Sequence, residues 1–106
     1  MVAIVSKFTM FGKLTAHPGQ REELLSVLLE ASRNLEHMEG CHHYIINESV
    51  DDPDAIWITE LWRDAEAHAN SLKDEEVLAV IQRARPLIAA IEPVRLRPVG
   101  GKGLDV

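Results

Sequence analysis

The sequence predicts an α+β domain, with helices covering one face of a four-stranded antiparallel sheet. Three observations carry this expectation. The apolar period switches between two and 3.6 residues in the order β-α-β-β-α-β. The turn Asp51-Asp52-Pro53-Asp54 separates two strand-like runs and makes them a hairpin. Apolar residues fall on both faces of the strands, so the sheet needs cover on both sides.

Ala3 to Ala16 reads as the first strand: Phe8, Met10, Gly12 and Leu14 alternate with Thr9, Phe11, Lys13 and Thr15. His17-Pro18-Gly19 breaks it, and Pro18 suits the first turn of a helix that runs to about Met38. Leu24, Leu28, Ala31 and Leu35 form its apolar stripe, Glu22 and Glu23 favour its N-terminal dipole, and Gly40 is the expected stop. The second strand is His42 to Val50, with His42, Tyr44, Ile46 and Glu48 on one face and Cys41, His43, Ile45 and Asn47 on the other.

Ala55 to Trp62 is the third strand, rich in β-branched and aromatic residues. Asp64 caps a short helix to about Leu72, and Asp74 caps another with Val77, Ile81, Ala84 and Ile88 on one stripe. Pro86 falls inside that stripe and should kink the helix or start a fresh turn. Glu92 to Val99 closes the sheet, and Pro93 and Pro98 suit an edge position. This order is the ferredoxin-like motif, and right-handed crossovers put both helices on one face. A second copy is the simplest cover for the other face, so a homodimer with sheets face to face is expected, with Trp57 and His43 turned toward the partner layer.

The 106 residues fit one domain, 1–106, whose glycine-bearing tail from about 100 to 106 is mobile unless a partner holds it. A net charge of −6 leaves no electrostatic footprint for nucleic acid. The apolar run Val2 to Val5 is too short for a signal peptide or a membrane span. Cys41 is the single cysteine, and the lack of a disulfide framework points to the cytoplasm. His42 and His43 are adjacent on a strand and point apart, so they do not share a metal, and no other cluster has ligand spacing. No glycine-rich phosphate loop precedes a helix.

Several short motifs carry a family resemblance. They are Lys13-Leu14-Thr15-Ala16-His17-Pro18-Gly19 before the first helix, Glu39-Gly40-Cys41 before the second strand and Asp51-Asp52-Pro53-Asp54 at the hairpin. Glu60-Leu61-Trp62 and Ala65-Glu66-Ala67-His68 follow, and the tail Pro98-Val99-Gly100-Gly101-Lys102-Gly103-Leu104 closes the set. In this order they resemble the antibiotic biosynthesis monooxygenase family, and the tail resembles a quinol monooxygenase-like subgroup. The resemblance implies a dimeric α/β-barrel assembly and a pocket between helices and sheet. It also implies oxidation of phenols or hydroquinones with molecular oxygen and no cofactor.

Within that frame, Ile58, Glu60 and Trp62 share one strand face by period. Trp62 matches a pocket-lining tryptophan of the family, and Tyr44 joins it as a hydrogen-bond donor if the hairpin registers as expected. Glu60 among buried neighbours should have a raised pKa. His68 follows Trp62 by six residues, where a better-known member carries a tyrosine. Either Glu60 or His68 suits the role of base. Trp62, Tyr44 and Ile58 would shape the substrate site, with Ile58 standing where some quinone-forming members have an asparagine. Haem-degrading relatives need a histidine that the stretch Glu75 to Ile81 lacks, which speaks against that chemistry. Two other readings remain on the same fold. One is an isomerase of small phosphorylated sugars, supported locally by Arg63 or Lys73. The other is a non-catalytic binding or stress-response module.

Overall fold

A computed structural model describes residues 7–104. The element order is β1 (Phe8–Ala16), α1 (Arg21–Leu35), β2 (Cys41–Glu48), β3 (Ala55–Trp62), α2 (Ala65–Ser71), α3 (Glu75–Ala84), a 3-10 turn (Arg85–Leu87) and β4 (Ile88–Leu96). The strands form one antiparallel sheet in the order β2-β3-β1-β4. This is the expected ferredoxin-like arrangement, with the second helical segment split into α2 and α3. The segment Ala3 to Ser6, expected to begin the first strand, lies outside the described residues.

Local chemistry sets the element bounds. Pro18 and Gly19 form a turn ahead of α1, closed by the Gln20 N–H donating to the His17 carbonyl at 2.9 Å, with Gly19 at φ 79°. The left-handed glycine makes the reversal, so α1 begins at Arg21 and Pro18 stays outside it. The helix ends at Leu35 rather than Met38, and Gly40 is not its stop. Gly40 instead lies against α2, where a Cβ would stand 2.6 Å from the Ala67 Cβ. The hairpin turn behaves as its residues predict: Ser49 Oγ accepts from the Asp51 and Asp52 N–H groups, and Asp52 Oδ1 from that of Asp54. Arg21 Nη1 donates to the Asp52 carbonyl at 2.8 Å and ties this turn to the start of α1.

Both predicted caps form. Asp64 Oδ1 accepts from the Ala67 N–H at 2.7 Å, and Asp74 Oδ1 from those of Glu76 and Val77 at 2.9 and 3.1 Å. Pro86 ends α3 and opens the 3-10 turn. The chain leaves that turn extended, so Ile88 begins β4 instead of completing the helical stripe, and β4 runs from Ile88 to Leu96 rather than from Glu92 to Val99. As expected, β4 is an edge strand; Pro93 lies within it, opposite Gly12 of β1.

One departure changes which side chains face inward. Cys41 pairs with Trp62 but His43 pairs with Leu61, so β2 carries a bulge with His42 as its extra residue. Cys41 thus shares the face of Tyr44 and Trp62, whereas strict alternation would place it opposite.

All three helices cover the inner face of the sheet. One core cluster centres on the fully buried Leu24 and Ile56, and a second holds Phe8, Leu35, Trp62, Ala67 and Val77; Tyr44 packs against both. The outer face carries a Phe11–Trp57 stack at 4.9 Å with Lys13 Nζ 5.7 Å from the indole. His43 is exposed there, beside Ile45, Val94 and Leu96, which are 52%, 46% and 47% exposed. Residues between 98 and 104 lie over part of this face, above Thr9, His43, Ile45 and Leu61, and Lys7 Nζ donates to the Leu104 carbonyl at 2.7 Å.

Candidate active site

The inner face of β3 supplies Ile58, Glu60 and Trp62 by simple alternation. Antiparallel register sets Tyr44 of β2 directly opposite Glu60, and Met10 of β1 on its other side. His68 comes down from α2, whose start is held by the Asp64 cap. These side chains meet in a cavity of about 320 Å³ between sheet and helices. Its walls are mostly apolar, including Leu28 and Leu35 from α1 and Val77 and Ile81 from α3, with Ser71 and Arg85 as further polar residues. The volume lies at the lower end of small-molecule sites. Tyr44, Ile58, Glu60, Trp62 and His68, the five residues singled out from the sequence, all line this one cavity.

Glu60 is the polar centre. The Trp62 Nε1–H donates to its Oε1 at 3.0 Å, and His68 Nε2 stands 3.9 Å from the same oxygen. The first contact is a hydrogen bond; the second is too long for one. An oxygen about 2.8 Å from both Glu60 Oε1 and His68 Nε2 would complete a triangle on that edge. Burial pushes the Glu60 carboxyl above its ordinary range, and the Trp62 bond pulls it part of the way back. Burial pushes the His68 imidazole down, and the Arg95 charge adds to this. Both groups are therefore biased toward their uncharged forms, as expected for a pair that desolvation affects more than mutual attraction.

Tyr44 is raised well above the usual phenol range by burial, with the Glu60 charge as second cause, so it stays protonated and can only donate or accept a hydrogen bond as a neutral phenol. The Cys41 thiol is pushed up to about 11 by burial and then by Glu60, which makes it an inert filler. The His68 ring lies edge-on to Trp62 at 5.4 Å and tilted on Phe8 at 4.8 Å.

Reading the sequence alone misses Phe8 and Arg95. Both follow from alternation once the strand bounds are known: Phe8 is opposite Trp62, and Arg95 is opposite Met10 on the same face. Arg63 and Lys73 line a separate cleft with Asp74, and Arg63 Nε pairs with Asp64 Oδ2 at 3.3 Å. That mixed charge is not the basic pocket that a sugar-phosphate isomerase requires. Among the described residues, no three or more His, Cys, Asp or Glu side chains converge as metal ligands, and no helix is long and apolar enough to cross a membrane.

A search of curated proteins finds no match. Solved structures do match. A candidate antibiotic biosynthesis monooxygenase from Chloroflexus aurantiacus J-10-fl is 43% identical over 93% of this chain and 99% of its own, with a TM-score of 0.84. Rv0793 from Mycobacterium tuberculosis superposes with a TM-score of 0.83 at 18% identity, over 92% of this chain and 100% of its own. A variant of SnoaB, a cofactor-independent oxygenase from Streptomyces nogalater, gives a TM-score of 0.81 at 16% identity, over 93% of this chain and 99% of its own. The last two establish likeness of fold alone. The family profile described as antibiotic biosynthesis monooxygenase matches residues 7–83, which spans β1 through most of α3. With that match and the Chloroflexus relative, the chain belongs to the antibiotic biosynthesis monooxygenase family.

Proposed function

We propose that this protein is a cofactor-independent monooxygenase that oxidises a quinol-like or phenolic aromatic with molecular oxygen. The observation that carries the reading is the Glu60–His68 pair at 3.9 Å on the edge of a mostly apolar cavity. A phenol bound with its hydroxyl on that edge gives its proton to Glu60 or His68. The phenolate passes one electron to oxygen, and the resulting radicals combine at a ring carbon to give a peroxide, which takes up a proton. Loss of the ring hydrogen and cleavage of the O–O bond then leave a carbonyl and release water. One phenol and one O₂ thus become one quinone and one H₂O.

Apolar walls favour a flat aromatic, and the desolvated edge strengthens each polar contact with the reacting oxygen. Ile58 contributes shape and no hydrogen bond. The outer sheet face, with the Phe11–Trp57 stack and exposed Ile45, Val94 and Leu96, supports pairing with a second copy.

The test is oxygen uptake by the purified protein against a panel of quinols, with and without added flavin. Uptake without flavin, lowered by about a hundredfold or more in Glu60→Gln or His68→Ala, is expected. Uptake that requires flavin refutes the cofactor-free reading. Full activity in both variants refutes the residue assignment.

A further inference from the structure

His68 does not meet Glu60 alone. Its ring lies 4.8 Å from that of Phe8, tilted by 34°, and the Arg95 guanidinium carbon stands 5.2 Å from the centroid of the same phenyl ring. Strand register explains the assembly. Phe8 is paired with Trp62 across β1–β3, and Arg95 with Met10 across β1–β4, which makes Arg95 and Phe8 diagonal neighbours on the inner face. A planar guanidinium stacks well on an aromatic face while its edge stays hydrated. A continuous series of contacts therefore runs from cation to phenyl ring to imidazole to carboxylate, across β4, β1, α2 and β3.

We propose that Arg95 is a positioning residue for His68: lying over the Phe8 ring, it holds the imidazole beside Glu60 and keeps it in the uncharged form that accepts a proton. The proposal rests on the reading of Glu60 and His68 as the proton-handling pair. The other groups around His68 define what Arg95 adds. Glu60 from β3, when ionised, favours the imidazolium and so opposes Arg95. Tyr44 and Cys41 from β2 are both raised by burial and stay uncharged near neutrality. The α1 and α3 residues that line the cavity are all apolar, and Arg85 lines it from the 3-10 turn. Lys7 and Arg97 border a cleft with Phe8 and Arg95, and Glu66 lies in the first turn of α2 itself. After burial, the Arg95 charge is the second cause of the lowered His68 pKa.

Proton NMR of the full chain tests this, with the His68 signal identified by its disappearance in His68→Gln. In Arg95→Met the His68 titration midpoint moves up, and the acid limb of kcat/KM for quinol oxidation moves up with it. Arg95→Lys returns both in whole or in part, because it restores the charge. Arg95→Gln serves in place of the methionine variant should that one not fold. An unchanged His68 midpoint without the Arg95 charge overturns the proposal, as does a shift that lysine does not reverse. The NMR midpoint needs no turnover. A His68 shift in a protein that oxidises no quinol therefore upholds the positioning and refutes the oxygenase reading alone.

Discussion

The hydrogen bond from Trp62 Nε1 to Glu60 Oε1, at 3.0 Å inside the cavity, yields the sharpest energetic prediction. Replacing Trp62 with Phe removes the donor and leaves a desolvated carboxylate without it. Loss of a hydrogen bond to a charged group costs about 1.5–3 kcal/mol, against about 0.5–1.5 kcal/mol for a neutral pair. In a Glu60→Gln background the same change breaks only the neutral bond, and the packing lost with the smaller ring is common to both backgrounds. The double-mutant cycle should therefore give a coupling of about 1 kcal/mol above the folded pKa of Glu60.

The pH dependence has a definite sign. Because folding raises the Glu60 pKa, the folded state binds the proton more tightly than the unfolded chain. Glu60 thus destabilises the fold fully at pH above its folded pKa. That penalty is relieved as pH falls through the folded pKa toward the ordinary carboxylate range. Wild type should gain stability relative to Glu60→Gln on acidification through this window. Trp62→Phe should begin to gain at a higher pH, since the bond it loses is what lowers the Glu60 pKa. Urea unfolding followed by far-UV circular dichroism measures all four proteins. Additivity within about 0.3 kcal/mol at mildly alkaline pH would refute the assignment of this bond as charge-assisted.

Other substitutions probe the frame around the site. Gly40→Ala places a methyl against the Ala67 Cβ and should destabilise by about 1–3 kcal/mol in chemical denaturation; Ala67→Gly in the same chain should recover much of this, and no recovery would place the strain elsewhere. Asp74→Ala removes the acceptor for two N–H groups at the start of α3 and should cost about 1 kcal/mol, with Asp74→Asn retaining most of the stability. Ile45→Lys with Val94→Lys puts charge on the outer sheet face. Sedimentation should show a dimeric wild type and a monomeric double variant of unchanged circular dichroism, and a monomeric wild type at micromolar concentration would refute face-to-face pairing.

The strands around the cavity were legible because alternation is a local property. Ile58, Glu60 and Trp62 share a face in any regular strand, and the hairpin turn sets Tyr44 opposite Glu60. Asp64 marked the start of α2 and thereby delivered His68. The misses have a common physical cause, which is that tertiary contacts move boundaries and phases. Pro86 gives no sign of whether the chain continues as helix or leaves as strand, so β4 began four residues earlier than its composition suggests. Arg95 was invisible for the same reason: its face depends on where β4 pairs with β1. The bulge at His42 has no marker such as glycine or proline, so strict alternation puts Cys41 on the face opposite to the one it occupies.

That extra residue also divides β2 into two parts with different tolerance to change in chain length. From Tyr44 to Glu48 the pairing with β3 is regular, so an insertion or deletion there would swap inner and outer side chains along the rest of the strand. Ahead of His43 the phase has already been reset once. Removing His42 would restore plain alternation and leave both Cys41 opposite Trp62 and Tyr44 opposite Glu60. The wall of the cavity is in this way insulated from length changes in the connection that leads into it from α1.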